Sequence, residues 1–231
     1  MNTAISCIRV SDVRLCPYCK SSGIVKNGHT KTGKQQYLCK YCKKRFIDYY
    51  TYSAYQEGVN SYIIQLTKEG LGIRSTARVL HISTTTLLKR IMAIARDLSK
   101  PVIRKGKTYE VDELCTFIKQ KSRRIWVVYA LERKSRAVVS FATGTRTNKT
   151  LNRVLSTLKL SEAYKIYTDG LKHYKSLIES AVHRVSRYGT NHIERKNLSL
   201  RTHLKRLGRK TICFTRSLVV LGAILSIYFW A

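Results

Sequence analysis

Between residues 55 and 98 the apolar positions recur at helical spacing. Tyr55, Val59, Tyr62, Ile63 and Leu66 share one face, and Gly70-Leu71-Gly72 stops that helix. "IRSTARVLHIS" predicts a short second helix, with Ala77 small enough for close packing and Leu80 facing inward. Ser83 is placed to cap a third helix, whose buried stripe is Leu87, Leu88, Ile91, Met92 and Ala95. These lengths fit a small all-α helix-turn-helix over 55–98, with Thr84, Thr85, Thr86, Lys89 and Arg90 turned outward to a DNA groove. A plain three-helix packing module satisfies the same apolar pattern.

After residue 107 the pattern changes. "KTYEVDELCTFIK" (107–119), "RIWVVYALE" and "RAVVSFATG" read as consecutive strands. The last two lack period-2 alternation, which predicts burial on both faces. "NKTLNRVLSTLKLS" is helical, "YKIYTDG" is a strand ending at Asp169, and "LKHYKSLIES" is helical again. "HRVSRYG" is a strand or loop, and a long helix starts near residue 191. Three strands followed by alternating helices and strands predict an α/β layer fold with a mixed sheet over 107–231. Residues 99–106, with one of only two prolines, read as a linker. "LVVLGAILSIYFWA" (218–231) is apolar throughout but too short for a bilayer, so a buried closing helix is expected rather than an anchor.

Residues 12–48 show a third pattern. Cys16-Pro17-Tyr18-Cys19 and Cys39-Lys40-Tyr41-Cys42 are two CxxC knuckles separated by 19 residues, with turn signals at Asn27-Gly28 and Thr32-Gly33 between them. Two knuckles supply the closed Cys₄ shell of a structural zinc site, here a zinc ribbon; two disulfides or a redox pair are the alternative. So short a segment needs such a staple, because it has too little apolar surface to fold alone. Lys43, Lys44 and Arg45 follow the second knuckle and are expected to face phosphates, as are Lys20, Lys26, Lys31, Lys34 and Lys40. An odd cysteine count, seven, and the lack of a secretory signal suit a reducing compartment. Cys115 and Cys213 are expected to be inert core thiols and Cys7 incidental. The six histidines show no ligand spacing.

Charge sharpens the reading. With 44 Lys+Arg against 13 Asp+Glu, the chain carries +31 and a pI near 10.2, an excess that opposes folding unless a polyanion is the normal partner. The charge is spread along the whole chain, which favours nucleic acid over an anionic membrane surface. Tyr49, Tyr50, Tyr52 and Tyr55 could stack on bases or pack between the ribbon and the helices.

The few acids in the basic C-terminal half then become informative. An Asp on the first strand, Asp112, and one at the end of a later strand, Asp169, can approach each other at the strand termini. Carboxylates brought together repel unless a divalent cation lies between them, and oxygen-rich sites suit magnesium or manganese. Glu194 is the only acid after Ser180, among ten Lys and Arg. On one helix, Glu194, Asn197, Arg201 and Lys205 form a polar stripe beside Ile193, Leu200, Leu204 and Leu207. The apolar stripe would seat the helix on the sheet, so that Glu194 reaches a metal and Asn197, Arg201 and Lys205 meet phosphates. A solvated acid paired with Arg201 or Arg187 is the plain alternative.

"CPYCKSSGIVKNGHTKTGKQQYLCKYCKKRF", "YEVDEL", "YTDG" and "HIERKNLSLRTHLKRLGRKTICFTRS" resemble, in the same order, the transposases of the insertion-sequence-one family. The resemblance covers nearly the whole chain. It implies a zinc ribbon, a helix-turn-helix and a ribonuclease-H-like catalytic domain with Asp112, Asp169 and Glu194 as the metal-binding triad and Arg201 as its basic companion. It also implies two magnesium or manganese ions, cleavage at transposon ends with strand transfer to target DNA, and a dimer or larger complex. The setting implied is the nucleoid of the bacterial cytoplasm, with no membrane. Glu113 sits beside Asp112, and strand alternation puts the two on opposite faces; the motif favours Asp112. A non-catalytic regulator and a nuclease of the same fold are the rival readings.

Overall fold

The computed structural model describes residues 14–47, 52–186 and 188–231. The expectations placed on Cys7, Tyr49, Tyr50, Arg187 and the Tyr55 side chain lie outside the described residues. The chain divides into two compact units, residues 1–56 and 57–231.

The first unit is an antiparallel sheet of β1 (Ile24–His29), β2 (Gln35–Cys39) and β3 (Arg45–Ile47), with β2 in the middle. Its two knuckles are built alike. Lys20 N–H donates to Cys16 O at 2.9 Å and Lys43 N–H donates to Cys39 O at 3.0 Å, and both lysines adopt φ 59° to close the turn. Tyr37 and Phe46 stack at 5.7 Å and, among the described residues, form its buried cluster with Cys16 and Cys39.

The second unit begins with α1 (Val59–Lys68), α2 (Ile73–Val79) and α3 (Thr84–Asp97). Ser83 caps α3 as expected, its Oγ accepting from Thr86 N–H at 3.0 Å. Val59, Ile63, Ala77, Leu87, Ile91 and Ile94 are buried, whereas Tyr62 is turned to solvent.

A five-stranded mixed sheet follows, in the order β6-β5-β4-β7-β8. β4 (Thr108–Ile118), β5 (Gln120–Glu132) and β6 (Val138–Gly144) form an antiparallel meander. β7 (Lys165–Thr168) and β8 (His183–Val185) run parallel to β4. α4 (Asn148–Leu160) and α5 (Lys172–Leu177) cover one face, where Tyr109, Val111, Val128 and Ala130 meet Leu151, Val154, Leu158 and Tyr174. α6 (Asn191–His203) and α7 (Leu218–Trp230) cover the other. Sheathing on both faces explains why β5 shows no alternation: each residue from Val127 to Leu131 is fully buried.

Two boundaries differ from expectation. α6 ends at His203, and Lys205–Leu207 form a separate 3₁₀ turn, so the exposed Lys205 does not continue the stripe of Glu194 and Arg201. Residues 99–106 lie inside the second unit and do not divide it, because α7 packs on α1 and α3 as well as on β6. The expected closing helix therefore joins the three helices to the sheet. Phe229 stacks on Tyr129 at 5.8 Å, Trp230 Nε1–H donates to Val138 O at 2.8 Å, and Lys68 Nζ donates to Ala231 O at 2.7 Å. Gly70, at φ 78°, lies against the end of α6, where a Cβ would come within 2.0 Å of His203 O. Among the described residues no helix is long and apolar enough to cross a membrane.

Candidate active site

The four ribbon cysteines converge on one point. Cys16 Sγ lies 3.6 Å from Cys42 Sγ and Cys19 Sγ lies 3.6 Å from Cys39 Sγ, each pair taking one sulfur from each knuckle. A tetrahedral zinc with Zn–S bonds of about 2.3 Å separates its sulfurs by about 3.8 Å, so the set fits that ion, and disulfides at about 2.05 Å do not describe it. The backbone N–H groups of Cys42 and Tyr41 hold Cys39 down to about 6, which favours the thiolate a metal needs.

On the sheet, β4 alternation sends Glu110, Asp112, Leu114 and Thr116 toward α6 and α7, and Tyr109, Val111 and Glu113 toward α4 and α5. β7 pairs with β4 only as far as Val111↔Thr168, so no β7 residue pairs with β4 from Asp112 onward, the next bridge being Ile118↔Thr215, and the chain turns away at Asp169. Carboxylate oxygens of Asp112, Glu113 and Asp169 there lie within 4.8 Å of one another. Burial pushes Asp112 up to about 6, with the charges of Glu113 and Asp169 adding to it. Asp169 Oδ1 accepts from Leu171 N–H at 3.1 Å, which fixes its turn. Clustered, partly buried oxygens suit a hard divalent cation.

α6 arrives beside Asp112 through Asn197. Its Nδ2 donates to Asp112 Oδ2 at 2.6 Å, and its Oδ1 accepts from Tyr129 OH at 2.8 Å. Asn197, expected to face phosphate, is therefore buried and orients a carboxylate; a helical stripe alone does not tell an edge that faces solvent from one that faces the sheet. Glu194 stands one turn earlier, exposed, with Oε1 accepting from Thr190 Oγ1 at 2.8 Å. It lies outside the close group of three carboxylates. Arg201 is half-buried, and its enclosed Nε has no hydrogen-bond partner. Burial lowers its pKa while Asp112 opposes that shift.

Sequence reasoning missed Glu110. Its side chain is fully buried, and Oε2 accepts from the N–H groups of His192 and Ile193 at 3.1 and 2.9 Å. Its Oε1 lies 2.5 Å from His192 Nδ1 and 3.3 Å from Arg133 Nε. The acid thus ties the first turn of α6 to the strand that carries Asp112, where a carboxylate also complements the helix dipole. Glu110→Ala strands two buried N–H groups at about 1–3 kcal/mol each, so a loss of about 3 kcal/mol is expected in denaturant unfolding. A loss under about 1 kcal/mol would mean that α6 is anchored elsewhere.

The outward residues of the small helices fall into place in part. Thr84, Thr85 and Lys89 are exposed and Thr86 is half-buried, while Arg90 Nη1 donates to Asn60 Oδ1 at 2.9 Å. A cleft of about 640 Å³ beside them is lined by Thr84, His81 and two cations the helical pattern did not single out, Arg74 and Arg78. Lys43, Lys44 and Arg45 are exposed. Cys213, expected in the core, is exposed, because the segment between α6 and α7 runs over the surface.

Comparison with known proteins places this geometry. Among solved structures, the chain resembles a simian T-cell lymphotropic virus intasome at 16% identity and TM-score 0.38, covering 71% of this chain and 67% of that one. It also resembles the HTLV-2 integrase catalytic core domain with magnesium at 15% and 0.36, covering 55% and 86%. Likenesses this loose carry no weight. Insertion element IS1 protein InsB of Shigella flexneri is 44% identical over 108 residues, 47% of this chain and 82% of that protein. An Escherichia coli K12 InsB is 41% identical over 108 residues, 47% of this chain and 65% of its own length. Residues 50–93 match the family model described as the InsA C-terminal domain. Residues 107–230, more than half of the chain, match the model described as IS1 transposase. By that match and the InsB relatives, the chain belongs to the IS1 transposase family.

Proposed function

We propose that the protein is a DNA transposase that binds the terminal inverted repeats of its element, cleaves there and joins the freed ends to target DNA. The observation that carries this is the meeting of Asp112, within β4, and Asp169, just past the end of the adjacent β7, under a helix that delivers Asn197 and Arg201. The sheet order, an antiparallel meander extended by two parallel strands, suits the ribonuclease-H-like domain that the resemblance implies. Two magnesium or manganese ions held by Asp112, Asp169 and Glu194 would supply the Lewis acid that activates water or a 3′-hydroxyl and stabilises the leaving oxygen. Asn197 holds Asp112 in its ligating orientation. Arg201, half-buried on the same helix, would present its guanidinium to a phosphate oxygen. Glu194 stands one helical turn from Asn197, within side-chain reach of the same edge once DNA and metal draw it in.

End recognition falls to two surfaces. The zinc ribbon offers Lys43, Lys44 and Arg45. α2 and α3, as a helix-turn-helix, offer Thr84, Thr85, Thr86 and Lys89 to a groove, with Arg74 and Arg78 beside them for backbone phosphates. Pairing of two ends calls for a dimer or larger assembly on DNA, working at the nucleoid of the bacterial cytoplasm.

The test is incubation of the full chain with labelled end-sequence DNA and magnesium. Joined products are expected. Cleavage without joining would favour a nuclease, and binding alone a regulator. Glu194→Gln is expected to lose joining and keep end binding; joining at the wild-type rate would remove Glu194 from the triad.

A further inference from the structure

We propose that Glu113 is a third oxygen ligand of the cation held by Asp112 and Asp169. This deepens the reading of the site given above and rests on it.

Adjacent residues of a strand point to opposite faces, and on that ground Glu113 has no business with Asp112. The open side of β4 removes the obstacle. Past Val111 no β7 residue pairs with β4, so a side chain on the α4/α5 face can curl round the unpaired side toward Asp169. A Glu113 oxygen accordingly lies within 4.8 Å of both Asp112 and Asp169.

The second observation is an oxygen without a partner. The Glu113 side chain is only 1% exposed; Oε2 accepts from Arg146 Nη2 at 3.0 Å, and Oε1 has no hydrogen-bond partner at all. Leaving such an atom bare costs about 1–3 kcal/mol, more when it carries charge, so it calls for a water, a proton or an ion. The Tyr174 hydroxyl, also buried, stands beside Glu113, whose charge and side-chain hydrogen bonding raise its pKa after burial has done so, yet no hydrogen bond of full geometry satisfies either atom. Arg146, its Cζ 4.5 Å from the centre of the Trp126 ring, holds Oε2 and leaves Oε1 for another partner. A cation there satisfies Oε1 and screens three carboxylates that otherwise repel. Arg146 is then the counter-charge on one oxygen while the second is committed to metal.

The test is a manganese titration of the full-length protein, zinc retained and DNA absent, read by electron paramagnetic resonance of free Mn²⁺. Glu113→Gln is expected to weaken Mn²⁺ binding at least about tenfold, while Glu162→Gln, an exposed acid paired with Lys105, changes nothing. If Asp112→Asn abolishes binding and Glu113→Gln leaves it within about twofold, Glu113 is not a ligand and the metal reading of the site stands. If neither substitution affects Mn²⁺, the metal reading itself fails. Should Glu113→Gln melt before titration, Glu113→Asp keeps the charge opposite Arg146 but withdraws the oxygens by one methylene. Wild-type Mn²⁺ affinity in that variant overturns the proposal, and a loss of about tenfold supports it.

Discussion

Asparagine at position 112 or 169 is expected to lower strand transfer by at least about a thousandfold and to leave end binding nearly intact. Each substitution removes one anionic oxygen from a cation site, and several kcal/mol of transition-state stabilisation go with it. The groups proposed to hold end DNA lie elsewhere, in the first unit and on α2 and α3, so a gel-shift assay with end DNA should register little. Acid should mimic the substitution. Burial with two neighbouring carboxylates pushes Asp112 up to about 6, so below that pH a proton competes with the cation for its oxygens. Above it the carboxylate is free, and activity should rise with pH through this range; added manganese should move the rise to lower pH. Joining by Asp169→Asn at the wild-type rate would dismantle the site.

Removing zinc, by chelation or by Cys39→Ser, should unfold the first unit outright. Among the described residues its buried cluster is Cys16, Tyr37, Cys39 and Phe46, and two of the four would be ligands. A structural zinc contributes on the order of 10–16 kcal/mol of apparent binding energy in small domains, far more than two aromatic side chains can replace. Limited proteolysis should cut between residues 14 and 47 in the stripped protein, while the unit from 57 to 231 keeps its own melting transition. Metal content measured alongside decides the matter: a protease-resistant ribbon with no bound zinc would sink the idea.

How much of this the sequence carried depended on whether a residue's partner was local. Periodicity located the strands and helices of the second unit and the Ser83 cap, because those signals span a few residues. The CxxC spacing was legible for the same reason. Glu110 was not, since its partners His192 and Ile193 lie 82 and 83 residues away and nothing beside it in β4 announces them. Asn197 was placed on the correct helix but on the wrong side of its edge. Helical spacing groups residues by face, and only packing on Tyr129 and Asp112 decides which polar residue is enclosed. Alternation put Glu113 on the face opposite Asp112 and the motif alone favoured Asp112; past Val111, where β7 stops pairing, oxygens of both lie within 4.8 Å of each other.

α7 is apolar on every side because past its exposed start, Leu218 and Val219, it is largely enclosed: α1 and α3 lie against it on one flank and the sheet on another. The hydrogen bond from Lys68 to Ala231 closes a loop of 163 residues. Loop closure of that length makes the assembly of the second unit slow and non-sequential. The three small helices, though complete in sequence by residue 97, stay without their inner wall until residues 218–230 exist and have docked. An interrupted chain therefore displays bare apolar helices and an uncovered sheet, the surface that chaperones and proteases recognise. Quality control would thus clear unfinished copies before they could engage DNA.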